Sequence, residues 1–302
     1  MKISPNYVDS DLLRSTSLPI GIHFIYTPPS PPLTSLSTSS IYLPPIRKSK
    51  MTLTTHLQDL YHPLYNQATT HPFLTHAAHG QIPKPLLSQW LSQDRLYAQS
   101  YIRFIGALLS KTRLPNHPGT TTVENRIADL LIDALVNIRR ELGVFNDVAG
   151  EFGLDLEGDA DDDGGATSTE GEKLFEPNPI THSYIDLFMS ASSPATTLLE
   201  GMVVLWATEI CYLRAWQYAR TTSTQTRREE DADGGALRKH FIPNWTSSEF
   251  VAFVERIGEV VDEMAGLVLV EGGENREDVL GRCALWWRQV LYLEGRFWPD
   301  VS

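Results

Sequence analysis

Cysteine is nearly absent from this chain: Cys211 and Cys283 are the two thiols in 302 residues. Two thiols cannot build a disulfide framework or a Cys/His zinc cluster, so a reducing, cytoplasmic setting is the simplest expectation and no structural metal is predicted. No uninterrupted run of about 18 apolar residues occurs, which leaves no membrane span to predict. Basic charge is also short, with 25 Lys and Arg against 37 Asp and Glu, giving a net charge of −12 and a pI near 5.2. Such a chain repels a phosphate backbone, so neither nucleic acid nor a membrane surface is expected as a partner. The apolar stretch IGIHFIY (20–26) follows Asp9 and Asp11 and carries no small-residue cleavage pattern, which argues against a secretory or transit signal.

Alternating strand pattern is missing too, and helical periodicity takes its place. The apolar content of 42% is enough for a sizeable core, and residues 51–302 read as one all-α domain. Helices are expected over 51–73, over 83–111 after a proline start, and over 122–145, where the period near 3.6 is strong. Others are expected over 178–192, 193–220, 246–270 and 275–298. Ser193-Pro194 and a Thr246 to Glu249 capping box are the predicted starts of two of them.

Residues 1–50 are rich in Ser, Thr and Pro, a composition that buries too little to offset backbone ordering, so a disordered extension is expected. Met51, where regular patterning begins, is an alternative start. Two acidic, Gly-rich inserts, 153–176 and 221–238, read as mobile surface loops. Within the first, DADDDGGATSTE (159–170) fits a calcium-loop pattern through Asp159, Asp161, Asp163, Gly164 and Glu170. Pro177 and Pro179 follow closely and GEFGLDLEG before it is not helical, so a solvated acidic loop is the preferred reading.

Several polar groups share helix faces that should be apolar. Asp94, Tyr97 and Tyr101 stand at i, i+3 and i+7 and point one way. Glu209 with Tyr212 lies inside VVLWATEICYLRAW, and Glu294 with Phe297 inside ALWWRQVLYLEGRFW; Tyr184 sits in HSYIDLF. A carboxylate in such a helix costs several kcal/mol (~1–3 or more) unless hydrogen-bonded, paired or protonated. Arg214 and Arg296 are the available ion-pair partners on the structural reading. On the functional reading, burial raises the acids' pKa toward the range of general acid–base work, and the rings wall a planar ligand. Cys211 reads as a buried, inert thiol. His62, His71, His76 and His79 cluster around a helix end without Glu-x-x-His pairs, so capping or solvated histidines are expected rather than heme or metal ligands.

HPFLTHAAHGQIPKPLLSQWLSQDRLYAQSY (71–101) resembles the start of the TenA (thiaminase II) family, with His-Pro-Phe, Gly-x-Ile-Pro and Gln-Asp-x-x-Tyr in that order. NPITHSYIDLF and YLEGRFW resemble its later signatures, and the likeness covers about 51–298. It implies a heme-oxygenase-like helical bundle, a homo-oligomer (dimer or tetramer), and a hydrolase needing no cofactor or metal that acts on thiamin or its aminopyrimidine breakdown products. By motif position, Asp94 would hold the pyrimidine amino group and ring nitrogen. Tyr97, Tyr101, Tyr184 and Tyr212 would line the ring, and Glu294 would be the catalytic acid near Phe297. One family branch carries a nucleophilic cysteine four residues before a tyrosine; here Thr208 holds that place before Tyr212, with Glu209 beside it. The pattern therefore resembles the cysteine-lacking branch, whose implied substrates are aminopyrimidines and their formylamino forms, with Glu209 as the second catalytic candidate. The alternative is a bundle that binds a small ligand or regulates without catalysis.

Overall fold

The computed structural model describes residues 51–116, 122–156, 176–223, 230–271 and 275–301. The expected disorder of 1–50 and the calcium-loop pattern at 159–170 lie outside the described residues.

Ten α-helices make up the described chain, and no strand occurs among its residues. The segment expected as one helix over 51–73 is three: α1 (Leu53–Gln58), α2 (His62–Thr69) and α3 (Pro72–Ala78). Tyr61 breaks the first junction with a left-handed φ of 58°, and Pro63 and Pro72 start the helices after each break. α4 (Lys84–Lys111) begins at its predicted proline. α5 (Val123–Phe152) runs a full seven residues past Phe145 and stops where Gly153 turns left-handed. α6 (Pro179–Ala191) is capped by Asn178.

α7 (Leu198–Thr222) starts five residues after Ser193, because Thr197 and Glu200 form a reciprocal capping box that the Ser-Pro pair does not. A π-helical turn, Leu237–Phe241, leads into the short α8 (Ile242–Trp245). The start of α9 (Ser248–Glu271) is capped by Ser247, whose Oγ accepts from the Phe250 N–H. The Thr246 hydroxyl is spent on Ile242 O instead, so the predicted Thr246 box does not form. α10 (Arg276–Phe297) closes the domain.

α7 is the central post. Its weak amphipathicity is explained by its neighbours, since α9 and α10 flank it and α2, α3, α4, α6 and α8 also touch it. Gly201 permits the approach of α4 and α6, because a Cβ there would run into Leu108 and crowd Ala191 O. Two cores result. The larger lies among α1, α2, α4–α7, α9 and α10. A second, rich in tryptophan, gathers Trp90, Trp216, Trp245 and Trp298 with Phe73 and Phe241. Full burial of each such large side chain contributes ~1.5–3 kcal/mol.

The acidic inserts are not wholly surface loops. Leu154 and Leu156 are buried in the tryptophan core, as are Ala236 and Leu237. Asp231, Asp233 and Arg238 are buried with them. Asp231 pairs with Arg238 through two contacts, one of them 2.7 Å from Nε, while Asp233 accepts the Gly235 and Leu237 N–H groups at 2.8 Å each. The composition of 221–238 suggested solvation; these carboxylates are instead consumed by local donors, which is how buried acids are tolerated.

Candidate active site

The two cores meet at a seam, and the seam holds the site. Three hydrogen bonds align its walls. Gln93 on α4 accepts from the Asn178 N–H (2.9 Å) and the Thr181 hydroxyl (2.6 Å), fixing the start of α6 against α4. That register sets Tyr184 edge-on to Tyr97, with ring centroids 5.0 Å apart. At the other end, the Trp298 indole donates to Ala68 O at 2.8 Å and holds the end of α10, so Phe297 packs 5.8 Å from Tyr97 and 5.5 Å from Tyr184.

An inner cavity of about 40 Å³ opens on this seam. Asp94, Tyr97, Ala98 and Tyr101 of α4 form one wall; Thr208, Glu209 and Tyr212 of α7 form the opposite one. Ile138, Glu141 and Phe145 of α5 and Phe250 of α9 complete it. A wider vestibule of about 120 Å³ shares Tyr101, Ile138, Glu141, Glu209 and Phe250 with it and leads outward past Asn137, Arg140, Asn244 and Glu249. At 10–15 Å³ per water, the inner space holds about three waters, a slot on the scale of one small ring rather than two.

The predicted residues thus fall into two groups. Asp94, Tyr97, Tyr101, Glu209 and Tyr212 face the inner cavity. Tyr184, Glu294 and Phe297 stand one ring deeper, behind Tyr97, and are not on the cavity wall. The groups communicate through the Tyr97 phenol, whose ionisation is opposed first by burial and then by the charges of Glu294 and Glu209.

No arginine neutralises the acids. Arg214 donates to Gln217, and Arg296 donates to Tyr292 O and lies over that residue's ring, so the ion-pair reading fails for both candidates. Tyrosines hold them instead: the Tyr101 hydroxyl donates to Glu209 Oε1, and the Tyr184 hydroxyl donates to Glu294 Oε1 at 2.5 Å. Tyr212 donates to Asp94 Oδ2 at a longer 3.3 Å. Desolvation dominates all three carboxyls. It lifts Glu209 to about 7 and Glu294 to about 8 despite the tyrosine hydrogen bonds, with a smaller push from neighbouring carboxylates. Asp94 is raised well above its ordinary value by burial and then by the charge of Glu141.

Glu141 is the residue that reading the sequence missed. Its carboxyl borders both cavities, accepts the Trp245 indole N–H at 2.6 Å, and is pushed by burial to about 7. In the sequence it looks like the end of a charge run, Arg139-Arg140-Glu141. The signal was the one that found Asp94: with Ala134, Ile138 and Phe145 it lies on the inward stripe of α5.

Neither thiol lines the slot or the vestibule. Cys211 is fully buried, off the cavity wall, and pushed well up by burial; Thr208 is buried with its hydroxyl donating to Leu205 O. Among the four clustered histidines, His71 is the N-cap of α3, its Nδ1 accepting the Phe73 N–H at 3.2 Å. Among the described residues, no three His, Cys, Asp or Glu side chains are placed to hold a metal ion. No helix among them is long and apolar enough to cross a membrane.

The raised acids make stability fall with pH. A carboxyl whose folded pKa exceeds its unfolded value of about 4.5 binds its proton more tightly in the native state, so it opposes folding increasingly as pH rises from there through 7–8. Glu141, Glu209 and Glu294 all act this way. His71, lowered by burial, opposes the trend only below its ordinary 6.5. The ligand-free protein is expected to melt at a higher temperature at pH 6 than at pH 8.5, and Glu209→Gln should reduce that difference. Scanning calorimetry across the two buffers checks it.

The chain has relatives. A Fusarium pseudograminearum protein, named as a probable transcription factor, is 32% identical over 288 residues, spanning 85% of this chain but 53% of its own length. A soybean (Glycine max) protein named as a probable bifunctional TENA-E protein is 20% identical over 166 residues, covering 55% of this chain and 63% of itself. The chain therefore spans less than two thirds of either relative. Among solved structures, a TenA homologue from Pyrococcus furiosus superposes with a TM-score of 0.63 at 22% identity, over 82% of this chain and 98% of that one. Residues 58–298, four fifths of the sequence and every side chain of the seam, match the family described as TENA/THI-4/PQQC, and to that family the chain belongs.

Proposed function

We propose that the chain is a cofactor-independent aminopyrimidine hydrolase, releasing ammonia from the aminomethyl form of thiamin breakdown products, or formate from the formylamino form, for reuse of the pyrimidine. The observation that carries this reading is the pairing of two tyrosine-held carboxyls with pKa values near neutrality, Glu209 on the wall of a ring-sized slot and Glu294 behind Tyr97. Asp94, whose ionisation burial opposes, would in its protonated form offer both an O–H donor and a carbonyl acceptor. That pair complements the amidine edge of a 4-aminopyrimidine, ring nitrogen and exocyclic N–H₂. Tyr97, Tyr101 and Tyr212 supply flat walls.

In this scheme Glu209, on the cavity wall, draws a proton from an attacking water, and protonated Glu294, behind Tyr97, returns one to the departing nitrogen by relay through the Tyr97 hydroxyl. Each step asks about 10²–10⁴ of acid–base catalysis, within the range that positioned carboxyls supply. The family's thiamin connection and the TENA-E name of the soybean relative favour this branch of chemistry. The slot favours single-ring substrates over intact thiamin.

The test is ammonia release from 4-amino-5-aminomethyl-2-methylpyrimidine by the full-length protein. Turnover linear in enzyme, with intact thiamin at least about tenfold poorer in kcat/KM, is the expected result. No release from this compound or its N-formyl form overturns the reading.

A further inference from the structure

The scheme above leaves Glu141 without a task, although it lines both the slot and the vestibule. Glu141 and Glu209 are the two acids that border both the inner cavity and the vestibule, from α5 and α7 respectively. Their charges act on common neighbours: Glu141 opposes the ionisation of Glu209 and of Asp94. One oxygen of Glu141 is fixed by the Trp245 indole at 2.6 Å, which clamps the side chain in the neck. Trp245 is itself rigidly seated, stacked 4.8 Å from Phe241 and 4.5 Å from Trp216. The ionisable residues lining the vestibule are Glu141, Glu209, Glu249 and Arg140, three carboxyls against one guanidinium.

A half-buried pair of carboxyls on the shared lining of slot and vestibule is poorly matched to a neutral or anionic visitor. It is well matched to an ammonium group, which would let both ionise and accept from its N–H donors. From this geometry we propose that Glu141, acting with Glu209, forms an ammonium-recognising neck that selects substrates carrying a protonated amine on the arm leading out of the slot, in preference to neutral-armed analogues. Glu141 is then a specificity residue that touches the substrate's arm, distinct from the acids that move protons. The inference rests on the hydrolase reading for the identity of the ring, but the neck can be tested by binding alone.

The experiment uses two ring-identical probes, 4-amino-5-aminomethyl-2-methylpyrimidine with a cationic arm and its 5-hydroxymethyl counterpart with a neutral one. Titration calorimetry is run on the full-length protein in a Glu294→Gln background, which holds the amine unreacted. The amine is expected to bind at least about tenfold more tightly than the alcohol, the worth of one charge-assisted contact in a desolvated site. Adding Glu141→Gln, which preserves volume and an acceptor for Trp245, should erase most of that ratio while changing alcohol affinity by less than about threefold. Glu141→Asp keeps the charge without the reach to Trp245, so part of the amine preference should be lost while alcohol affinity holds; where the glutamine variant fails to fold, an unchanged ratio in the aspartate variant overturns the neck. Equal loss for both probes in Glu141→Gln, or no amine preference before the change, overturns the neck. Binding with the expected ratio but no turnover in the unmodified protein instead overturns the hydrolase reading and leaves the neck standing.

Discussion

Glu294→Gln is expected to lower kcat for ammonia release by about 10²–10⁴-fold while KM moves by less than about threefold. The glutamine keeps the side chain's length and an oxygen that accepts from Tyr184, so the cluster of Tyr97, Tyr184 and Phe297 should stay packed. What it loses is the proton. With a pKa of about 8 the carboxyl is largely protonated at pH 7, ready to serve as an acid, whereas an amide has nothing to give. Glu209→Gln should fall by a comparable amount, because its cavity-facing carboxyl is the only partner of Glu294 in the proposed exchange. The double variant should be less than about tenfold worse than either single one, since groups acting as a unit are not additive.

Tyr184→Phe separates positioning from chemistry. The hydroxyl's hydrogen bond lowers the Glu294 pKa, so removing it should shift the alkaline limb of the kcat profile to higher pH. The measurement is steady-state ammonia release against pH. Undiminished kcat in Glu294→Gln would remove that acid from the scheme and leave Asp94, Glu141 and Glu209 as the carboxyls lining the slot.

The route from sequence to this site was direct where one helix face carried the message. Asp94, Tyr97 and Tyr101 lie within two turns of α4, and their spacing alone placed them together. The same holds for the all-helical class, because α4, α5 and α10 follow their apolar periods closely. Failure came where the deciding partner is distant in the chain. Nothing local tells that Glu209 and Glu294 find tyrosines 108 and 110 residues away rather than the arginines nearby. Glu141 was hidden by the adjacent Arg139 and Arg140, which make it look like the end of a surface charge run, and helix starts at 193 and 246 were misplaced because Thr197 with Glu200, and Ser247, offered better caps. The second insert shows the same limit in composition: REEDADGGALR reads as solvent-seeking until its carboxylates meet donors.

That insert carries the other large expected effect. Asp231→Ala should destabilise the protein by about 3–5 kcal/mol, the usual consequence of removing one partner from a buried ion pair. Arg238 is 5% exposed and receives both oxygens of Asp231, so alanine withdraws two charge-assisted contacts from a guanidinium that stays inside. Asp233 nearby also favours the charged arginine, which keeps the expected loss toward the lower end. The same aspartate packs against Gly80, a residue at φ +69° where any Cβ would run into the carboxylate, while Ala232 N–H donates to Gly80 O at 2.8 Å. Replacing both partners, Asp231→Leu with Arg238→Met, should cost less than Asp231→Ala alone, since no guanidinium is then left inside without its carboxylate, and Asp233 keeps its two backbone N–H donors. Urea unfolding followed by tryptophan fluorescence reads these differences, and a loss under about 1 kcal/mol for Asp231→Ala would mean the segment does not hold the second core. The consequence reaches the site through the chain itself. Residues 231–238 run into the π-turn at Leu237–Phe241 and then Trp245, whose indole clamps Glu141, so loosening the ion pair should also weaken the neck's preference for the amine before the fold is lost.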